Sequence, residues 1–365
     1  MKIGLALGSG AARGWAHIGI IQALEEMGIK IDVVAGCSIG AYVGAAYASG
    51  KLEPLAEWAS SLTEWQVFGL MGIGIRKGAL ASGNKVFKAL EDNFCAENFD
   101  QLIKPFGVVA TDLYSGKEVS FLDGPIGQAV RASCAIPALF PPVSYQGRWL
   151  VDGAVVNPVP VNICRHLGAD FVFAVNLSAD FRPELQLSFQ KEHEHNQQRT
   201  NDFFEKGQSF MQRIFGGKFK KEDESTEANA ELGAIQDLDD LTATAEDVTQ
   251  SPTHSDASEV AGINTANMEI PEVQPMAAEA KSHPVKLKSM DSSPSMLGVM
   301  SSSLDILQAR VTRSRLAGDP PDILIEPQLR DFGIMEFHRA EELIEEGRQS
   351  VMRVAEQIKY QLRMV

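Results

Sequence analysis

Apolar runs short enough to be strands alternate along the chain with segments whose apolar residues recur at helical spacing. The strand-like runs lie at residues 2–7, 31–35, 106–110, 149–152, 171–176 and 322–325. The clearest helical period lies between the first two runs, with apolar side chains at Trp15, Ile18, Ile21, Leu24 and Met27 before Gly28. Strands separated by helices predict an α/β fold in which helices cover a mostly parallel sheet.

The C-terminal part of the chain shows the same alternation. Residues 296–316 carry apolar side chains at helical spacing, and arginines gather toward the end of this segment, where they suit the negative end of a helix dipole. The strand at 322–325 follows. The pattern then predicts a last helix from about Phe337 to Gln361.

A Gly-x-Ser-x-Gly pentad, Gly36-Cys37-Ser38-Ile39-Gly40, stands directly behind the second strand-like run. A serine in this setting lies on a sharp turn at a helix N-terminus, where backbone N–H groups favour negative charge. Gly36 and Gly40 allow neighbouring backbone to approach the turn closely. The pattern indicates a nucleophile elbow centred on Ser38, and the alternative is an ordinary strand-to-helix turn.

A Gly-rich turn, Gly8-Ser9-Gly10-Ala11-Ala12-Arg13-Gly14, joins the first strand to the first helix. A nucleotide phosphate loop would end in Gly-Lys-Ser/Thr, which is absent at this position. A dinucleotide-binding turn would have a glycine where Arg13 stands. The remaining interpretation is an oxyanion hole, in which N–H groups near Gly10 and Ala11 bind the oxygen of a tetrahedral intermediate. Only this interpretation also explains a serine elbow after the next strand.

The partner of Ser38 has to accept a proton. None of the seven histidines follows a strand in a Gly-rich setting, and His17 on the first helix is interpreted as a packed or exposed helix residue. Asp152 ends the strand-like run 149–152 and precedes Gly153, an arrangement that directs a carboxylate into a cleft. The alternative is a common Asp-Gly turn without a chemical role.

These motifs together resemble those of the bacterial patatin-like phospholipases, the family that contains the neuropathy target esterase group. The similar stretches are the Gly-rich turn 8–14, the pentad 36–40, residues 131–137 and 141–143, and Asp152-Gly153-Ala154. The sequence is most similar to the RssA-type subgroup, and this similarity includes residues 317–325. The resemblance covers residues 1 to about 215 and about 295 to 365. The chain departs from the family at Ser9 and Ala11, where family loops often have glycine. Backbone N–H donors survive both replacements.

The resemblance implies a patatin-like three-layer α/β sandwich and a Ser–Asp dyad instead of a triad. In that dyad Asp152 takes the proton of Ser38 as general base and returns it to the leaving group. Gly8, Gly10, Ala11 and Arg13 belong to the oxyanion loop, and Gly36, Gly40 and Gly153 support the motifs. For Arg13 the sequence leaves support of the loop, anion binding and a salt bridge open.

Composition agrees with a soluble cytoplasmic enzyme. The chain has 365 residues and 44% hydrophobic content, which suffice for one large α/β domain. No signal peptide is recognised, and no apolar run approaches the roughly 18 residues of a membrane-spanning helix. The cysteines lack the paired spacing of a zinc site or a disulfide framework, so neither a metal nor a cofactor is predicted. They are Cys37, Cys95, Cys134 and Cys164.

Much of the net charge of −15 falls between about Glu222 and Asp291, a stretch rich in Ser, Thr, Ala, Glu and Asp. Such a composition cannot bury enough apolar surface to fold. We therefore predict a disordered acidic insertion at 218–294 within one discontinuous hydrolase domain, 1–215 and 295–365. The rest of the chain has no basic surface pattern that would favour nucleic-acid binding.

Two further segments could contact lipid. Residues 65–75 are apolar and interrupted by glycines, which suits an acyl pocket, a lid or plain core packing. Phe203–Lys221 combines aromatic residues at helical spacing with Lys and Arg. That combination suits either a peripheral contact with an anionic membrane or docking against the protein's own core. For a cytoplasmic protein the membrane contact would be at the inner face.

The sequence thus favours a serine esterase or phospholipase A-type hydrolase that acts on lipid or other acyl esters. The alternative is a regulatory or binding protein that retains the fold without significant catalysis. An intact Gly-rich turn, elbow and Asp152 favour catalysis, because a scaffold has no need of all three. The sequence leaves the acyl ester, its chain length and the oligomeric state open.

The acidic insertion is expected to be dispensable for the chemical step. Replacing residues 223–289 by a short Gly/Ser linker should preserve Tm and turnover of a soluble short-chain ester, since loop-closure entropy changes by only about 0.6 kcal/mol per doubling of length. Binding to anionic vesicles should become stronger, most of all at low salt, because acidic residues no longer compete with lipid for Phe203–Lys221. Unfolding or lost turnover would show that the segment belongs to the folded enzyme.

Overall fold

The computed structural model describes residues 1–76, 79–179 and 296–364, with the backbone alone described at 73–76, 79–80 and 296–301. The strands are β1 (Ile3–Leu7), β2 (Val33–Cys37), β3 (Ile73–Arg76), β4 (Ala79–Ala81), β5 (Phe106–Asp112), β6 (Glu118–Phe121), β7 (Val143–Tyr145), β8 (Arg148–Asp152), β9 (Phe171–Val175) and β10 (Ile323–Ile325). The predicted insertion at 218–294 and the Phe203–Lys221 segment lie outside the described residues.

Helices connect most of these strands. They are α1 (Ala16–Glu26), α2 (Ile39–Ala48), α3 (Leu52–Ser60), α4 (Glu64–Met71), α5 (Asn84–Ala89), α6 (Ile126–Ser133), α7 (Val161–His166), α8 (Met296–Gly318), α9 (Ala340–Arg353) and α10 (Ala355–Leu362). Short 3₁₀ turns at Ala11–Trp15, Gly153–Val155 and Phe337–Arg339 lie next to the candidate site. Within the described part of the chain, none of the helices combines the length and the apolar character needed to cross a bilayer.

The hydrogen-bonded path through the main sheet is β10-β9-β1-β2-β5-β8-β7. On this path β2 and β8 pair with successive parts of one edge of β5, and β6 pairs with its other edge. The strands from β10 to β5 are parallel, whereas β6 and β8 run antiparallel to β5 and β7 runs antiparallel to β8. The prediction of a mostly parallel sheet is confirmed. The short antiparallel strands β6 and β7 were not predicted.

Side chains of alternate strand residues point to opposite faces of the sheet, and each face is covered. Leu5, Leu7 and Val34 belong to a large core that includes residues of α1, α2 and α9. Ala6 and Ala35 belong to a second core, which α7 covers and against which Leu316 of α8 packs. Helices therefore lie on both faces, as a three-layer α/β fold requires.

Several predicted boundaries are wrong, and two of them are of structural interest. The second strand was placed at 31–35, but β2 extends to Cys37 because Gly36 and Cys37 continue the ladder opposite Val108 and Val109. The last helix is not continuous. It begins with a 3₁₀ turn and breaks at Val354, a β-branched residue whose N–H bonds to the Val351 carbonyl.

Candidate active site

Sheet topology brings Ser38 and Asp152 together. Cys37, the last residue of β2, pairs with Val109, and Asp152, the last residue of β8, pairs with Ala110. β6 pairs with residues 108–111 of β5, which include partners of both β2 and β8. β6 therefore occupies one edge of β5, and β2 and β8 share the other edge. The two strands run toward each other along this edge. Ser38 and Asp152 therefore meet although they are 114 residues apart in sequence.

The backbone at Ser38 has the strained conformation of an elbow. Its φ of 55° and ψ of −123° lie where L-residues are rarely found, and α2 begins at the next residue. The flanking glycines permit close approach of backbone. A Cβ at Gly40 would lie 2.2 Å from the Leu7 carbonyl oxygen, and one at Gly36 would lie 2.4 Å from that of Gly40. The sequence pattern at 36–40 therefore reflects a steric requirement.

The Ser38 hydroxyl donates a 2.6 Å hydrogen bond to Oδ2 of Asp152, and both residues are buried. The other carboxylate oxygen, Oδ1, accepts from the N–H of Ala154 at 2.8 Å, within the turn that begins at Gly153. Thr111 Oγ1 donates to the Asp152 backbone carbonyl at 2.8 Å. Each oxygen of the carboxylate thus has a defined partner, and the side chain is held with one oxygen toward Ser38.

Burial changes the acid–base character of Asp152. Removal from water raises the pKa of the Asp152 carboxyl from its ordinary 3.8 to about 7, against the opposing effect of the hydrogen bonds from Ser38 and Ala154. A carboxylate with a pKa near 7 is a stronger base than an exposed Asp and still ionises at neutral pH. An Asp with an ordinary pKa is a weak base at neutral pH, and burial makes Asp152 a stronger one.

The Gly-rich turn lies beside Ser38 at the carboxyl end of β1. Gly8 follows the strand, Gly10 precedes the 3₁₀ turn, and Ala11 begins it with a positive φ of 51°. As the first residue of the turn, Ala11 has an N–H without a partner inside it. Ala11 and Ser38 line the same cavity. This arrangement suits an oxyanion donor.

Arg13 contacts the C-terminal part of the chain through its guanidinium group. Its Nε donates a 2.9 Å hydrogen bond to the backbone carbonyl of Phe332, in the segment before α9. The Ala12 N–H likewise donates to the Ile334 carbonyl, at 3.0 Å. Arg13 therefore connects the Gly-rich turn to the C-terminal part of the chain. This contact suits support of the loop, and anion binding by Arg13 stays a prediction.

His17 is a packed residue beneath the Gly-rich turn. It is fully buried, and Nε2 lies 2.7 Å from the Gly8 carbonyl oxygen. Burial lowers the pKa of His17 to about 4, although the hydrogen bond to Gly8 acts in the opposite direction. The ring is therefore neutral at pH 7, and Nε2 must carry the proton that binds the carbonyl. The predicted packing role of His17 agrees with this position.

Ser133 and Cys134, near the end of α6, contact Ser38 but were not assigned a role from the sequence. Ser133 Oγ accepts a 2.8 Å hydrogen bond from the Ser38 N–H, and Cys134 lines the cavity. Burial raises the pKa of the Cys134 and Cys37 thiols well above the ordinary value, so neither forms a thiolate at neutral pH. Ser133 and Cys134 lie in the stretch 131–137, and the family resemblance of that stretch was the only sequence signal for them.

An apolar cavity opens beside Ser38. Its walls include Val67, Leu70 and Met71, so α4 does contribute the apolar lining expected as one use of residues 65–75. Met335 and Phe337 complete the lining from the C-terminal part of the chain, where the sequence indicated no site residue. Among the described residues, no group of three or more His, Cys, Asp or Glu side chains is placed to bind a metal ion.

Comparison with known proteins identifies the family of this chain. The model of the patatin-like phospholipase family matches residues 5–165, which contain the Gly-rich turn, Ser38 and Asp152. An uncharacterized NTE family protein of Mycobacterium tuberculosis is 33% identical over 356 residues, which are 95% of this chain and 89% of that protein. The chain belongs to the patatin-like phospholipase family. Met335 and Phe337 lie outside the part of the chain that the family model matches.

Other relatives in this family are much longer proteins. Neuropathy target esterase sws of Drosophila melanogaster is 32% identical over 191 residues, which are 50% of this chain and 13% of the relative. Lysophospholipase NTE1 of Mycosarcoma maydis is 34% identical over 194 residues, 49% of this chain and 10% of the relative. A crystal structure of VipD from Legionella pneumophila aligns with a TM-score of 0.31 and 15% identity, over 63% of this chain and 57% of that one. Similarity at that level supports neither fold nor function.

Proposed function

We propose that this chain is a serine acyl hydrolase that cleaves lipid acyl esters, with Ser38 as nucleophile and Asp152 as general base. The observation that carries the proposal is the 2.6 Å hydrogen bond from the Ser38 hydroxyl to Asp152, made at a positive-φ elbow. A nucleophile within hydrogen-bond reach of its base is the geometric requirement for this chemistry. An elbow without a chemical role would have no reason to bury a carboxylate against its serine.

The reaction proceeds in two steps. Ser38 Oγ attacks the acyl carbonyl carbon while its proton passes to Oδ2 of Asp152, and the carbonyl oxygen becomes an oxyanion. When the C–O bond to the alcohol breaks, protonated Asp152 returns the proton to that alcohol. A water molecule then attacks the acyl-serine while its proton passes to Asp152. As the bond between the acyl carbon and Ser38 Oγ breaks, Asp152 returns that proton to Oγ, and the fatty acid leaves.

Backbone groups stabilise the oxyanion in this scheme. The N–H groups of Gly10 and Ala11 come from the Gly-rich turn, and that of Ile39, the residue after the nucleophile, comes from the start of α2. The partial positive charge at the N-terminus of α2 acts in the same direction. Fixed donors of this kind need no reorganisation as charge develops, and each typically contributes about 3 kcal/mol or more to lowering the barrier.

A lipid ester is the substrate class favoured by the surroundings. The cavity beside Ser38 is lined mainly by apolar side chains, which suit a hydrocarbon chain better than a charged group. The phospholipase name of the family and the lysophospholipase name of the Mycosarcoma maydis relative support the same class. A peripheral contact with a membrane surface would bring such a substrate to the site.

The proposal is tested by incubating the protein with lysophosphatidylcholine and with p-nitrophenyl butyrate and quantifying the released acid by chromatography. We expect release from the butyrate ester and from the lysophospholipid, both removed by Ser38→Ala. A folded wild-type protein that releases no acid from either ester above the Ser38→Ala baseline would contradict the proposal. It would favour the alternative of a binding protein.

The activity should depend on the ionisation of Asp152. Because the base has to be unprotonated, kcat/KM should fall about tenfold per pH unit below an apparent pKa near 7 and reach a plateau above it. Acid release measured by chromatography between pH 5 and 9 tests this without interference from the leaving group. Two esters with different alcohols should give the same inflection. A profile that is flat from pH 5 to 8 would exclude Asp152 as the titrating base.

A further inference from the structure

One wall of the cavity beside Ser38 comes from residues nearly 300 positions further along the chain than the elbow. Met335, only 3% exposed, and Phe337 line the cavity together with the α4 residues Val67, Leu70 and Met71. The segment 332–337, which carries Met335 and Phe337, is called the C-terminal wall below.

Two hydrogen bonds, on either side of Met335, fix the C-terminal wall to the Gly-rich turn and to Trp15, the residue that follows it. The Ile334 carbonyl accepts from the Ala12 N–H at 3.0 Å. The Phe337 carbonyl accepts from the Trp15 indole Nε1–H at 3.1 Å. Because the same turn carries the candidate oxyanion donors, the position of Met335 is set relative to the reacting carbonyl group.

Contacts of Arg339 and Trp15 also hold the C-terminal wall in place. Arg339 Nη1 donates to the Asp331 carbonyl at 2.9 Å, and the guanidinium carbon lies 4.1 Å from the centroid of the Phe332 ring. The Phe337 ring packs edge-on against Trp15 at 6.0 Å between centroids. A segment held at this many points presents its side chains in fixed positions, as a wall that discriminates between substrates requires.

The lining of the cavity is mainly apolar and disfavours a charged occupant. Two polar groups of its aromatic residues already have backbone partners, since Tyr42 OH donates to the Val86 carbonyl at 3.1 Å and the Trp15 indole N–H to that of Phe337. A charged headgroup placed here would lose its hydration without gaining partners. For a hydrocarbon chain, each methylene group buried here would raise the binding affinity about fourfold.

We propose that the C-terminal wall closes an acyl-chain pocket and that Met335 determines how much hydrocarbon this pocket admits. The proposal rests on the acyl hydrolase function proposed above and adds the residue that sets acyl specificity. Methionine suits this position because its flexible, polarizable side chain fills irregular apolar space. A smaller side chain at 335 leaves more room for the acyl chain, and a larger one leaves less.

The test compares kcat/KM for p-nitrophenyl acetate, butyrate, octanoate and dodecanoate in Met335→Ala, Met335→Trp and wild-type protein. Met335→Trp should lower the dodecanoate-to-acetate ratio at least about tenfold, because several methylene groups lose their place. Met335→Ala should shift the ratio in the opposite direction, toward longer chains. The matched control is Met352→Trp, at a methionine of α9 that is 49% exposed, and it should leave the profile as in wild type.

The outcomes separate the two proposals. Ratios that stay at the wild-type value in both Met335 variants, with unchanged Tm, would overturn the role of Met335 while leaving acyl hydrolysis intact. If wild type hydrolyses no ester, or if Met335→Trp does not fold, the pocket is tested by binding. Dodecanoate should then quench the fluorescence of Trp15 and Trp58, which line the cavity, in wild type and in a Met352→Phe control, and more weakly in a Met335→Phe variant. Equal quenching in all three would overturn the proposal.

Discussion

Ser38→Ala is expected to lower kcat for any ester substrate by at least about 10⁴-fold while leaving Tm unchanged. The loss should be this large because the hydroxyl is the atom that forms the acyl-enzyme, so its removal ends covalent catalysis instead of weakening it. The fold should tolerate the change, since alanine keeps both the Cβ and the backbone N–H that donates to Ser133. Acid release and thermal unfolding, measured on the same preparation, check both parts.

Ser9→Ala provides the matched control. Ser9 is also buried and lies on the Gly-rich turn, but its hydroxyl oxygen has no hydrogen-bond partner within the described part of the chain. The turn contributes through backbone N–H groups, which alanine retains. The Ser9→Ala protein should keep turnover within about threefold of wild type. A loss comparable to that of Ser38→Ala would mean that the Ser9 hydroxyl takes part in the chemistry.

Asp152→Asn is expected to lower turnover by about 10³-fold or more, because asparagine accepts no proton at neutral pH. The same substitution should raise Tm at pH 8. In the native state Asp152 holds its proton up to about pH 7, whereas the unfolded chain releases it near the ordinary pKa of 3.8. Its contribution to stability is therefore complete below about pH 4 and is lost as pH rises through 7, a change on the order of 4 kcal/mol.

The comparison across pH distinguishes this effect from a general change in packing. The Tm of Asp152→Asn relative to wild type should be higher at pH 8 than at pH 5, because only the wild-type side chain becomes a buried anion. His17→Gln is the companion variant. Glutamine can still donate to the Gly8 carbonyl, so it should keep at least about a tenth of the activity. Loss of activity in folded His17→Gln protein would indicate a triad instead of a dyad.

The local motifs could be predicted from the sequence because each depends on neighbouring residues. A serine between Gly36 and Gly40, behind a strand, already requires a tight turn, and the carbonyl of Leu7 explains why Gly40 cannot carry a Cβ. The pairing of Ser38 with Asp152 could be expected only from the family resemblance. It depends on β2 and β8 sharing one edge of β5, which no local pattern reveals.

The C-terminal wall of the cavity could not be predicted either, because it too depends on contacts between distant parts of the chain. Met335 and Phe337 are apolar residues of a kind found in any core, and the helical spacing after 337 gave no sign that the segment before it contacts the Gly-rich turn. The raised pKa of Asp152 likewise follows from burial by distant elements. The roles of Ser38, Asp152 and the oxyanion loop and the extent of the acidic insertion remain predictions.

The most direct measurement is labelling with a fluorophosphonate probe, followed by mass-spectrometric mapping of the modified peptide. The probe phosphonylates a serine only where that serine is activated and an oxyanion site is formed, so it reports both features at once. We predict stoichiometric modification of Ser38 that falls with pH below about 7 and is absent in Ser38→Ala. Modification of another residue, or none in folded wild-type protein, would contradict the assignment of Ser38 as the nucleophile.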